Sequence, residues 1–107
     1  MSDKAYEIIE LAKKSGSIKR GTNEVTKAIE RGTAAFVAVA DDVSPKEIVM
    51  HIPLLAKEKG VPCIQVPSRE ELGTAAGLAV PAVAIAVTEA GDAKALIAEL
   101  KTEGSEE

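Results

Sequence analysis

A chain of 107 residues in which strand-length apolar runs alternate with helical patterns predicts an α/β fold, a three-layer α/β/α sandwich. The first sign is Phe36-Val37-Ala38-Val39-Ala40, a continuous apolar run with the composition of a central strand covered on both faces. The second is a pair of further strand-length segments, Pro62–Val66 and Ala82–Val87, each followed by a polar start signal or a helical pattern. The third is the set of helix-opening sequences between them, of which Ser44-Pro45-Lys46-Glu47 and Ser68-Arg69-Glu70-Glu71 both read as capping boxes. Alternation of this kind implies crossover connections and a mostly parallel sheet.

Taken in order, residues 3–14 place Ala5, Ile8, Ile9 and Ala12 at i, i+3, i+4 and i+7, an amphipathic helix with Ser2 or Asp3 as its cap. Ser15-Gly16-Ser17 ends it, and Ile18 to Arg20 form a short strand or extended linker. Gly21, Thr22 and Asn23 then supply start-of-helix chemistry, and Gly32 closes that helix about three turns later. Its inner face is Val25, Ala28 and Ile29, while Glu24, Lys27 and Arg31 share an outer one. The helix opened by Ser44-Pro45 carries Ile48, Ile52, Leu55 and Ala56 on one stripe, and Pro53 should bend or divide it near His51. The helix opened by Ser68 ends around Gly77, and Leu78-Ala79-Val80-Pro81 is an apolar loop before the last strand. Residues 92–101 form the final helix, with Ala93, Ile97 and Leu100 on one face. The expected organisation is a single domain over 1–101 and a frayed acidic tail over 102–107.

Bulk properties exclude several functions. The single cysteine, Cys63, allows neither a disulfide framework nor paired metal-ligand spacing, and core packing is the expected role for it and for His51. A charged N-terminal stretch without an apolar core does not read as a secretion signal. The 17 uncharged residues from Leu72 to Thr88 are rich in Ala and Gly, contain Pro81, and fall short of the roughly 20 apolar residues a membrane span needs. The expectation is therefore a cytoplasmic protein without a membrane, cofactor or metal.

The net charge of −4 hides an uneven distribution. Between Lys13 and Arg31 six bases face two acids, which leaves +4 there and −8 over the rest. A basic patch on an acidic body binds a particular polyanion at one site rather than any polyanion anywhere. The helix opening at Gly21 lies inside that patch, and a helix N-terminus favours anions such as phosphate. With one Tyr, one Phe and no Trp, the chain cannot stack many single-stranded bases on aromatic rings, so preformed nucleic-acid shape is the better target.

The run Gly21-Thr22-Asn23-Glu24-Val25-Thr26-Lys27-Ala28-Ile29-Glu30-Arg31-Gly32 resembles the helix-opening motif of the archaeal ribosomal protein L-seven-Ae family, binders of kink-turn RNA. The resemblance continues through Ala40-Asp41-Asp42-Val43, His51-Ile52-Pro53-Leu54-Leu55, Pro67-Ser68-Arg69-Glu70-Glu71-Leu72-Gly73 and Ala75-Ala76-Gly77-Leu78-Ala79-Val80-Pro81. It implies a four-stranded mixed sheet rather than a mostly parallel one. It also implies an RNA target, a helix–bulge–helix kinked at tandem sheared G·A pairs, found in ribosomal RNA, in box C/D and H/ACA guide RNAs and in ribonuclease P RNA. Partner proteins of those particles follow, with a chain that is monomeric when free.

By the same resemblance Asn23, Glu24 and Lys27 reach the sheared pairs in a widened major groove, a task their donors and acceptor suit. Lys19, Arg20, Gly21 and Thr22 supply phosphate and backbone contacts, Arg31 and Arg69 add basic contacts, and Leu78, Ala79 and Val80 pack on bases displaced at the bulge. Archaeal relatives commonly carry Glu where this chain has Ala79, so the implied contact there is apolar. Two other readings compete. Asp41-Asp42 follows an apolar strand, the place where open α/β sheets hold phosphoacceptor or Mg²⁺-binding carboxylates. A protein-interaction module of the same fold without RNA binding is the other.

Overall fold

The computed structural model describes residues 2–42 and 47–104, with side chains at 4–42 and 50–99. The elements run α1 (Ser2–Ser15), β1 (Ser17–Arg20), α2 (Thr22–Glu30), β2 (Phe36–Ala40), α3 (Glu47–Glu58), β3 (Cys63–Val66), α4 (Arg69–Ala75), β4 (Ala84–Glu89), a 3-10 turn (Gly91–Ala93) and α5 (Lys94–Gly104). The four strands form one sheet in the order β1-β4-β2-β3. Helices α2 and α3 pack together on one side of it, and α1 packs with α4 and α5 on the other.

The sheet is mixed, which corrects the mostly parallel expectation and agrees with what the family resemblance implied. Only β2 and β3, joined through α3, pair in parallel among the described strands. β4 is antiparallel to both of its neighbours, β1 and β2. Alternation of strands and helices does not dictate parallel pairing, because β4 arrives by the long route through α4 and the apolar loop and inserts between β1 and β2 with reversed direction. β1, legible in the sequence only as a strand or linker, is a sheet edge, and its outer positions Lys19 and Arg20 are exposed.

β2 is buried along its whole length, as its unbroken apolar run predicts. Around Phe36, Val37 and Val39 the core gathers Ile8 and Ile9 of α1, Val25 and Ile29 of α2, Ile52 of α3, Leu72 of α4 and Ile85 and Val87 of β4. The three inward residues expected of α2, Val25, Ala28 and Ile29, are all buried. That helix ends where expected, with Gly32 at φ +74° and its N–H donated to the Ile29 carbonyl at 3.1 Å.

One expectation for α3 needs correction, and of the bend or division expected at Pro53 the division does not occur. The helix is continuous from Glu47 to Glu58 with Pro53 inside it, so the proline removes a donor without dividing the element. His51 is exposed rather than packed in the core, and its Nε2 lies 2.9 Å from Thr26 Oγ1 of α2. The Ser44-Pro45 helix start, the Ser2 or Asp3 cap and the burial of Ile48 and Leu100 lie outside the described residues and side chains. α5 continues to Gly104, three residues past the end read from the sequence, and Lys4 of α1 pairs with Glu99 of α5 at 3.3 Å. Among the described residues no helix is long and apolar enough to cross a membrane.

Candidate nucleic-acid interface

Strand direction gathers the candidate residues. β1, β2 and β3 point the same way and β4 opposes them, so the carboxyl ends of the first three and the amino end of β4 share one edge of the fold. Backbone hydrogen bonds stitch that edge together. The Gly21 N–H donates to the Ala84 carbonyl at 3.0 Å, Ala40 N–H to the Val83 carbonyl at 2.9 Å and Asp41 N–H to the Val66 carbonyl at 2.7 Å. The N-terminus of α2, the residues after β2, the start of α4 and the apolar loop before β4 therefore meet, although they are scattered along the chain.

Gly21 is the hinge of this arrangement. It adopts φ +92° and ψ 149°, a conformation that a side chain disfavours, and turns the chain from β1 into α2. Its carbonyl accepts the first helical bond, from Val25 N–H at 2.9 Å. No side chain caps the helix, so Thr22 and Asn23 belong to the first turn and do not cap it as the sequence suggested. Asn23 and Glu24 are exposed at that turn and Lys27 is exposed one turn further on. The N–H groups of Thr22, Asn23 and Glu24 precede the first intrahelical bond, a place where acceptor oxygens are favoured. Thr26, between them, is held to α3 through His51.

The apolar loop is anchored at both ends on α4. Leu78 N–H donates to the Gly73 carbonyl at 2.9 Å and Ala82 N–H to the Arg69 carbonyl at 3.0 Å. Gly73 is buried, and a Cβ there would collide with the Val80 carbonyl and press on Pro81. Between the anchors Ala79 and Val80 are exposed, Val80 to 52 %, and Leu78 is half-buried. An open hollow of about 320 Å³ lies beside them, lined by Glu70, Thr74, Leu78, Ala79, Val80 and Pro81.

Arg69 heads α4, whose cap is Ser68, the side chain of which accepts from Glu71 N–H at 3.2 Å as the capping box predicts. The Arg69 guanidinium reaches the Asp42 carbonyl (3.3 Å), and the Arg69 N–H reaches Asp42 Oδ1 (2.9 Å). Asp42 is thus engaged in tying loops together, a role that sequence reasoning missed because its partner lies 27 residues away. Lys19 and Arg20 flank the edge on β1. Arg31 does not join it, since it follows the last turn of α2, about 13 Å down the helix axis from Thr22.

The sequence matches the model of the "Ribosomal protein L7Ae/L30e/S12e/Gadd45 family" over residues 3–97. The chain belongs to this family. It is 54% identical to proteins described as large ribosomal subunit protein eL8 from two strains of Halobacterium salinarum, over 95% of this chain and 85% of theirs. Its fold is similar to that of the solved Giardia lamblia 15.5kD RNA binding protein, with a TM-score of 0.81 and 32% identity over 96% of this chain and 88% of that one. These L7Ae-family relatives are ribosomal and RNA-binding proteins, not enzymes, and the chain is not an enzyme. The phosphoacceptor reading of Asp41-Asp42 falls with that. Among the described residues no cluster of three or more His, Cys, Asp or Glu side chains could hold a metal ion.

Proposed function

We propose that this chain reads kink-turn RNA, with the α2 N-terminus on the tandem sheared G·A pairs and the 78–82 loop on bases displaced at the bulge. The coarse part of this reading, an RNA-binding protein of the ribosomal L7Ae family, is supported by the relatives. The finer part is carried by one observation, the meeting at a single edge of exposed Asn23, Glu24 and Lys27 with a semi-exposed apolar loop. Polar groups alone would suit any helical RNA. Adding an apolar platform next to them suits an RNA that presents base edges and unstacked bases side by side.

In this reading Lys27 and Asn23 donate to guanine O6 or N7, and Glu24 accepts from guanine N–H donors. Lys19, Arg20, Thr22 and the Gly21 backbone hold phosphates, Arg69 contributes from across the edge, and Arg31 serves only an RNA that extends along α2. The protein binds the kinked conformer far better than the extended one and so shifts the RNA toward the kink. Ribosomal RNA is the first target, with box C/D and H/ACA guide RNAs and ribonuclease P RNA as further ones, in the cytosol.

The test is energy transfer between dyes on the two arms of a kink-turn RNA without Mg²⁺. Protein should bring the arms together, and the same RNA with Watson–Crick pairs in place of G·A should stay extended. Arms that stay apart in both RNAs would contradict the reading. One feature favours partner proteins on another surface: a crevice of about 420 Å³ beside α3, where Met50 and Leu54 are 58 % and 70 % exposed. A protein-interaction module without RNA binding would use that crevice and leave both RNAs extended.

A further inference from the structure

We infer that Asp42 is a positioning residue for the apolar loop, acting through Arg69; the inference deepens the kink-turn reading and rests on it. The chain of contacts is short and complete. Asp42 Oδ1 accepts the Arg69 N–H at 2.9 Å, the Asp42 carbonyl accepts Arg69 Nη1 at 3.3 Å, and the Arg69 carbonyl accepts the Ala82 N–H at 3.0 Å. Asp42, two residues beyond the end of β2, is therefore bonded twice to the first residue of α4, which is bonded in turn to the end of the loop. β2 is buried throughout and also holds the residue after Ala82 directly, Ala40 N–H donating to the Val83 carbonyl at 2.9 Å, so what the bracket adds is the position of the loop's end against α4.

The loop needs such a bracket. Its other anchor is the Gly73 carbonyl, and between the two anchors Val80 stands 52 % exposed, its carbonyl against Gly73. A platform that must be ordered on contact loses affinity to the cost of ordering, and one held beforehand does not. Fixing the Ala82 end is what holds Leu78, Ala79 and Val80 in place before RNA arrives.

Charge and position make opposite predictions for Asp42. It is an exposed carboxylate at an RNA-facing edge, so a pure charge effect would make its removal tighten binding to phosphates. Asp42→Asn removes the charge and keeps an oxygen that can accept the Arg69 N–H, while Asp42→Ala removes both. If Asp42 positions the loop, Asp42→Ala weakens binding of a kink-turn RNA roughly fivefold to twentyfold, and Asp42→Asn stays within about twofold of wild type. On the same RNA with abasic bulge nucleotides the loop has nothing to pack on, and Asp42→Ala and wild type should bind alike.

Arg69→Pro against Arg69→Ala gives a second route should Asp42→Ala fail to fold. Both lose the guanidinium, but only proline lacks the N–H, and its ring suits the first helical position after Ser68 at φ −135° and ψ 122°. Arg69→Pro should bind the intact RNA roughly fivefold more weakly than Arg69→Ala and bind the abasic RNA equally. Asp42→Ala binding as tightly as Asp42→Asn, or losing the same factor on both RNAs, would overturn the inference while leaving the kink-turn reading intact. A wild type that fails to distinguish G·A from Watson–Crick RNA would overturn the kink-turn reading itself.

Discussion

Glu24 and Lys27 sit on the exposed side of a helix whose stability comes from Val25, Ala28 and Ile29. Replacing either by alanine should cost about 1–3 kcal/mol of affinity for a kink-turn RNA, the scale of a good base contact. The thermal unfolding midpoint should hardly move, since exposed substitutions away from caps and core change stability by only about ±0.5 kcal/mol. Isothermal titration alongside a circular dichroism melt separates the two effects; unchanged affinity with an intact melt would remove this face from the interface. Cys63 behaves in the opposite way. Burial raises its thiol from 9.0 to about 11, so the folded chain holds the neutral form. That contribution to stability is full below pH 9.0 and is lost as pH rises through about 11. At pH 8 only on the order of one thiol in a thousand is thiolate, so iodoacetamide should modify Cys63 slowly until urea unfolds the chain. The packing role of Cys63 was legible from its apolar neighbours. That of His51 was not: its place beside Pro53 suggested an interior residue, and only the fold brings Thr26 of α2 to its Nε2.

Helices were the most legible elements, because apolar residues at i, i+3 and i+4 mark the buried face whatever the topology. α1, α2 and α4 lie within a residue or two of where periodicity and caps put them. The sheet was less legible. Nothing in Ala82–Val87 says that β4 enters between β1 and β2 in reverse, since direction is settled by which edge the preceding loop can reach. The loop itself read as uncharged and apolar, but its shape depends on the contact between Gly73 and Val80, a pairing that no local pattern encodes. Gly73→Ala tests that contact. The added methyl would meet the Val80 carbonyl and must displace the loop or the helix. We expect a stability loss of about 1–3 kcal/mol, as for overpacking elsewhere, measured by urea denaturation. RNA affinity should fall as well, even where the folded fraction remains complete. A variant with wild-type stability and affinity would mean that the loop adapts freely and is not a formed platform.

Across the molecule, charge decides what kind of reader this is. A segment of +4 within a chain of −4 can neutralise only a few phosphates, and Arg31, at the far end of α2, removes one more base from the gathered edge. Affinity should then depend on salt moderately, with a log–log slope of roughly 0.7–0.9 per phosphate contacted over a handful of contacts. Discrimination must come from base edges and from the shape that presents displaced bases to the loop. Exchanging the tandem G·A pairs for Watson–Crick pairs takes away both and leaves the number of phosphates unchanged. The direct measurement is therefore a salt series of binding constants on the two RNAs. The G·A RNA should bind strongly with a shallow slope, and the Watson–Crick RNA should stay near non-specific affinity at every salt concentration. A steep slope common to both, with nearly equal affinities at moderate salt, would contradict this and mark a general polyanion binder.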